Sequence, residues 1–257
     1  MNTFSFTVDD NIRFLRELNA SRYKSIFDHP YLAMYKRFHD IFDTKVQLNL
    51  FYKLDSFDLS MMTQRYLDEF SAASDWLKFS FHSREENVRP YERAPYDEVA
   101  YDIANVNRAI VRFAGERALA KTTTVHYCRT TPEGTAALRD AGVKGLLGLY
   151  GTDRERKVSY SLPDDICERL RHGEVVKQDG ISHAGIDVIL NIFDTASATE
   201  RIKALLPRKF LRLMIHEQYF YPDYHVYQPD FEYKLYMSFS LLKERGYESV
   251  FFEDVID

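Results

Sequence analysis

The stretch TFSFTVDDN, residues 3–11, decides how the chain is read. Its first six residues are rich in β-branched and aromatic side chains and read as a strand over 3–8. Two adjacent carboxylates, Asp9 and Asp10, end that run. The segment DNIRFLRELNASRY follows at once and places Ile12, Leu15 and Leu18 on one helical face. A helix cap explains one aspartate. It explains the second poorly, because neighbouring carboxylates repel each other unless a cation or proton lies between them. From the dyad alone, cap and functional pair both stand.

Outward from this stretch, strand-like and helix-like runs alternate. Strands are read at 45–53, 76–81, 122–128 (TTTVHYC), 144–151, 186–193 (IDVILNIF), 210–216 and 249–255. Helices are read at 58–74, with Asp58 and Ser60 as caps, at 96–115, ended by Gly115, and at 131–142, with Pro132 in its first turn. Two more are TASATERIKALL and the segment 230–247. Residues 152–185 break the rhythm. There KVSYSL and GEVVKQDG read as short strands around a small helix, PDDICERL. Seven or eight strands, each mostly followed by a helix, imply a parallel α/β sheet. A closed or nearly closed (β/α) barrel over 1–257, as one domain with a β-rich excursion, is the expected architecture, and an open doubly wound sheet is the alternative. No GxGxxG fingerprint follows the first strand and no P-loop is present.

The chain has 257 residues with a formal net charge of -5. That balance argues against nucleic acid or an anionic membrane as partner. Cys128 and Cys167 form neither a disulfide framework nor a CxxC pair, which fits a reducing compartment. No signal peptide and no bilayer-length apolar run is visible, so a cytoplasmic location is expected. Aromatics are plentiful, with 18 Tyr and 19 Phe, and several fall in loops, including the run HEQYFYPDYHVYQPD. Rings there suit flat sugar faces, although aromatics are also ordinary core material.

In a β/α barrel, function gathers at the C-terminal ends of the strands. Asp9 and Asp10 follow the first strand. His82 follows the third, with Glu85 and Glu86 close behind. His126 and Arg129 belong to the fourth, Tyr150 to the fifth, and His216 and Glu217 to the seventh. Tyr219 stands just beyond, and with Tyr150, His126 and Glu217 it is expected to line a substrate cleft. The set fits metal-assisted hydrolysis. A carboxylate and an imidazole hold a divalent ion, which acidifies water and polarises a carbonyl. A second carboxylate takes a proton, a histidine returns one to the leaving group, and an arginine orients the base.

At this point the chain resembles the polysaccharide deacetylase superfamily, carbohydrate esterase family four. These are deformed (β/α) barrels that deacetylate sugars with a divalent metal. Thr7-Val8-Asp9-Asp10-Asn11 resembles the family's Thr-Phe-Asp-Asp-Gly motif, which implies Asp9 as base and Asp10 as metal ligand. The start of FHSREEN resembles its His-Ser/Thr motif, which implies His82 as a second ligand. The motif's second histidine is missing, and Glu85 or Glu86 stands near its place as an oxygen donor; Glu86 is taken as the third ligand, for zinc or manganese. Arg129 with Pro132 resembles the motif that orients the base, and Met214-Ile215-His216 resembles the Leu-x-His motif, which implies His216 as general acid. The resemblance implies an acetylated carbohydrate as substrate. Two other readings stand beside it: a metal-independent glycosidase using Asp9 or Asp10 with Glu217, and a non-catalytic carbohydrate-binding barrel.

Overall fold

A computed structural model describes residues 2–86, 91–151 and 160–256. In chain order the elements are β1 (Asn2–Asn11), α1 (Arg13–Ala20), α2 (Pro30–Phe42), β2 (Val46–Phe51), a small hairpin β3 (Lys53–Leu54) and β4 (Phe57–Asp58), α3 (Leu67–Ala72), β5 (Leu77–Ser83), α4 (Tyr96–Ala114), β6 (Thr122–Thr123), α5 (Pro132–Asp140), β7 (Gly145–Gly148), α6 (Asp164–Arg171), β8 (Val175–Gln178), β9 (Ile181–Gly185), β10 (Val188–Ile189), α7 (Thr195–Leu205), β11 (Phe210–His216), α8 (Phe231–Glu244) and β12 (Tyr247–Ser249).

The first sheet runs β10-β11-β1-β2-β5, all parallel, with β12 added beside the start of β1. The second runs β6-β7-β9-β8, antiparallel only at β8. Two seams join them. Ala120 N donates to Phe79 O at 2.8 Å, which leads the chain from the edge of β5 into β6. On the other side Ile186 N donates to Gly148 O at 2.8 Å and Asp187 N to Arg212 O at 2.9 Å, so one segment leaves β7 as β9 and joins β11 as β10. These seams set the two sheets edge to edge, the arrangement expected of a deformed barrel, and the shortest strands at the seams, β6 and β10, are two residues long.

β1 shows why this sequence makes such a wall. Phe4 and Phe6 lie on the helix side, where Phe6 meets Tyr35 of α2 and Phe239 of α8. Each such ring, fully buried, contributes roughly 1.5–3 kcal/mol. The alternate residues Ser5, Thr7 and Asp9 take the opposite face by the period of two, toward the barrel interior. A strand covered on both faces is the signature of a parallel sheet, and β1 is buried from Phe4 to Asn11. Among the described residues, no helix is long and apolar enough to cross a membrane.

Several expected elements differ. Residues 30–42, unassigned by the sequence reading, form α2, which buries Tyr31, Met34, Tyr35, Phe38 and Phe42 along one stripe behind Pro30. TTTVHYC is a strand only at 122–123, because Tyr127 and Cys128 are left-handed at φ 61° and 51° and turn the chain. IDVILNIF is a strand only at 188–189; the stave beside β7 is the earlier Ile181–Gly185. The final strand lies at 247–249, before a 3-10 turn at 252–254. The first three residues of KVSYSL lie outside the described residues, and Tyr160 and Ser161 form a turn.

Candidate metal centre

The dyad is shaped by a bulge. Val8 pairs with Leu48 and Asn11 with Leu50, so β1 carries one more residue than β2 across this interval. Asp10 absorbs it with φ 62°, a left-handed conformation that aspartate tolerates better than most residues. Strict alternation would send the two carboxylates to opposite faces; the bulge lets both sit at the barrel mouth. Asn11 pins it, donating from Nδ2 to Val8 O at 2.6 Å and to Asn49 O at 3.2 Å while its Oδ1 accepts from Tyr31 at 2.8 Å.

Asp10, His82 and His126 converge. His82 Nε2 lies 3.0 Å from Asp10 Oδ1, His126 Nδ1 lies 3.3 Å from the same oxygen, and the two imidazole nitrogens are 3.1 Å apart. All three residues are buried. Phe51 packs its ring against both imidazoles, at 5.2 and 5.0 Å, and walls the site with hydrocarbon.

The outer nitrogens set the chemistry of the inner ones. His82 Nδ1 meets Thr124 O at 2.5 Å, and His126 Nε2 meets Glu86 O at 3.1 Å. A carbonyl oxygen only accepts, so each ring places its N–H outward. In the neutral tautomers the inner atoms are then two nitrogen lone pairs and a carboxylate oxygen, three acceptors with no donor among them. Burial pushes the His82 pKa down, which opposes a second proton on that ring. Burial raises the Asp10 pKa; hydrogen bonds from His126 and His82, made when those rings carry an inward N–H, and a charged His216 hold it well below the usual range. With both rings neutral the carboxylate meets two lone pairs, an arrangement that a cation relieves. An anion and two lone pairs facing one point fit a cation. The spacing fits too: ligands about 2.0–2.1 Å from a tetrahedral zinc ion stand roughly 3.3 Å from one another. Outer N–H groups held by carbonyls are also what orients metal-binding imidazoles.

Asp9 differs from its neighbour. Its Oδ1 accepts from Asn49 Nδ2 at 2.6 Å. Burial, then the charge of Asp10, pushes its pKa well above the usual value, against the lowering effect of Asn49. Adjacent carboxylates pushed in opposite directions can divide roles, one staying an anion and the other ready to take up a proton.

His216 is the register partner of Asp9 across β1 and β11. Its Nδ1 contacts Asn191 Oδ1 at 2.8 Å, and burial lowers its pKa. Tyr219 stands beside it, with ring centroids 6.1 Å apart.

Other expected residues lie elsewhere. Glu86 contributes its backbone carbonyl to His126, and its carboxylate sits 3.5 Å from Gln218 Nε2; the third inner donor is His126. Glu217 turns from the mouth to the start of α1, where Ile12 and Arg13 donate to Oε2 at 2.7 and 2.9 Å and Phe14 to Oε1 at 2.8 Å. It caps a helix whose own sequence supplies no side-chain cap. Arg129 pairs with Glu92, while Asp9 receives its hydrogen bond from Asn49. Tyr150 is buried in the wall, 3.3 Å from His183 Nδ1. Gln218, missed in the sequence, donates to Asp10 Oδ2 at 2.6 Å. The nearest signal for it was its place two residues after His216.

No family model matches this chain, and no curated protein matches it. Solved structures do. A 4-α-glucanotransferase from Thermococcus litoralis has a TM-score of 0.63 at 16% identity, over 99% of this chain and 40% of that one. A family 4 acetyl xylan esterase from Clostridium thermocellum, in complex with a cobalt ion, has a TM-score of 0.56 at 14% identity, over 98% and 89% of the two chains. A CE4 family pseudoenzyme from Bacillus anthracis has a TM-score of 0.51 at 12% identity, over 100% and 66%. The chain thus spans less than half the length of the glucanotransferase. At these identities the likeness shows the fold, an α/β architecture shared with CE4 structures.

Proposed function

We propose that this protein is a divalent-metal-dependent hydrolase that removes acetyl groups from a carbohydrate. The observation that carries the reading is the donor-free meeting of Asp10, His82 and His126 beside a second carboxylate, Asp9. Those three residues would hold the ion, and two imidazoles with a carboxylate suit zinc ahead of manganese. A bound ion there supplies Lewis-acid polarisation of the acyl carbonyl and acidifies water. Asp9 takes the proton of the attacking water, a task suited to a carboxylate with raised proton affinity. His216 gives a proton to the departing sugar oxygen or nitrogen. Its contact with Asn191 fixes the ring and leaves Nε2 for that transfer. Tyr219, beside His216, contacts the sugar.

The sugar and its acetyl group are inferred from the CE4 fold together with this site. The glycosidase reading needs Glu217 as a second acid, and the three backbone N–H groups around its carboxylate oppose that role. Loading the protein with zinc or manganese and measuring acetate release from acetylated xylan and chitooligosaccharides tests the proposal. Release that requires the metal and is lost in Asp9→Asn is expected. Absence of release from every substrate with either metal contradicts it.

A further inference from the structure

We propose that Asn49 is the positioning residue of Asp9, in place of an arginine. The inference rests on the hydrolase reading above. Asn49 is fully buried on β2 and donates from Nδ2 to Asp9 Oδ1 at 2.6 Å. An amide can present either end, and here the other end is fixed. Asn49 Oδ1 accepts from Gln47 Nε2 at 2.8 Å and from Ser80 Oγ at 2.5 Å. Gln47 is itself held at both ends, donating to Thr122 O at 2.9 Å and accepting from Thr122 Oγ1 at 2.9 Å. Flipping Asn49 would turn its oxygen toward Asp9 and its NH₂ against the Gln47 Nε2 donor, whose orientation Thr122 fixes. Side chains from β2, β5 and β6 therefore allow one orientation, with the donor toward Asp9.

This network fills the barrel interior directly behind the dyad with amides and hydroxyls. Buried polar groups are costly unless satisfied, and here each half of the two amides is. Hydrocarbon at 47, 49 and 80 would pack a barrel interior without that requirement. What the polar set adds is a fixed donor for one oxygen of Asp9. The second oxygen is left to receive a proton. A neutral amide does this through one directed hydrogen bond, which fixes the geometry of the carboxylate. Arg129, which the motif resemblance implies for this task, is engaged by Glu92.

The test compares Asn49→Leu with wild type, both zinc-loaded, on acetylated xylan. A group displaced by about 1 Å loses on the order of 100-fold in rate, so kcat is expected to fall by roughly 10- to 100-fold. KM and zinc affinity should stay within a factor of about three, because neither substrate contact nor metal ligand changes. A merely structural role would move zinc affinity and melting temperature together with kcat. If Asn49→Leu does not fold, Gln47→Met removes the clamp on Asn49 Oδ1 and leaves Asn49 and Asp9 in place. A several-fold loss in kcat at unchanged KM supports the proposal there, and unchanged kcat overturns it. An active wild type with an equally active Asn49→Leu overturns the role of Asn49 alone. A wild type that releases no acetate overturns the hydrolase reading and this inference with it.

Discussion

Gln218 Nε2 donates to Asp10 Oδ2 at 2.6 Å, while Oδ1 of the same carboxylate faces His82 and His126. The carboxylate is thereby divided between a protein donor and the point where the imidazoles meet. Removing the amide in Gln218→Leu frees Asp10 to rotate. Zinc affinity is expected to fall by about 10- to 100-fold, the usual effect of losing an outer partner of a metal ligand. Competition with a chromophoric chelator measures it; affinity equal to wild type would show that Gln218 does not orient Asp10.

Glu217 is expected to act on stability. Its three backbone donors at the start of α1 lose their acceptor in Glu217→Ala. Each buried group left unsatisfied costs about 1–3 kcal/mol, so the variant should be less stable by at least about 2 kcal/mol in urea unfolding. A change below about 0.5 kcal/mol, the scale of a neutral surface substitution, would refute the capping role.

The same residue gives a pH dependence with a defined sign. Burial, partly offset by the backbone donors, raises the Glu217 pKa from 4.5 to about 7. A raised folded-state pKa contributes stability that is complete below the unfolded value and is lost as pH rises through the folded one. Wild type should therefore lose stability relative to Glu217→Gln between about pH 4.5 and 7.5, by up to roughly 3 kcal/mol. Parallel urea titrations across that range check it. A gap that stays constant or moves the opposite way contradicts the shift.

Asp187 should prove structural. Its carboxylate accepts from Arg212 Nε and Nη2, both at 2.8 Å, and also pairs with Arg208. Arg212 is 1% exposed and Asp187 3%. Asp187→Ala leaves a buried guanidinium without its partner and should cost about 3–5 kcal/mol. The exposed pair of Arg129 with Glu92 should be worth less than about 1 kcal/mol. Urea unfolding of Asp187→Ala and Arg129→Ala should rank them in that order.

Much of this architecture was legible in sequence because it depends on local pattern. FSFTV, β2 and β5 alternate apolar with polar residues, 96–115 is periodic and ends at a glycine, and β11 is a mostly apolar run of ordinary length. The dyad was visible, but not the bulge that gathers both carboxylates, because a bulge is a relation between two strands. Strand β9, ISHAG, was hidden because it is short and half polar. TTTVHYC reads as unbroken strand and so puts His126 on a cleft wall; its place in the structure depends on two left-handed residues, Tyr127 and Cys128, with no glycine to mark them. Such backbone costs about 1–3 kcal/mol per residue and is held only by its surroundings. Glu217 adjoins a mouth residue in sequence, yet the 3-10 turn after β11 directs it to α1.

Whether Asp10, His82 and His126 hold a divalent ion is decided by a calorimetric zinc titration of the metal-stripped protein. One ion per wild-type chain is predicted, with affinity reduced by at least about 100-fold in Asp10→Ala and in His126→Ala, beyond the loss expected for an outer partner. Glu86→Ala, which keeps the carbonyl that His126 uses, should bind within a few-fold of wild type. A wild type that binds no zinc, or tight binding that survives in His126→Ala and vanishes in Glu86→Ala, would contradict the account.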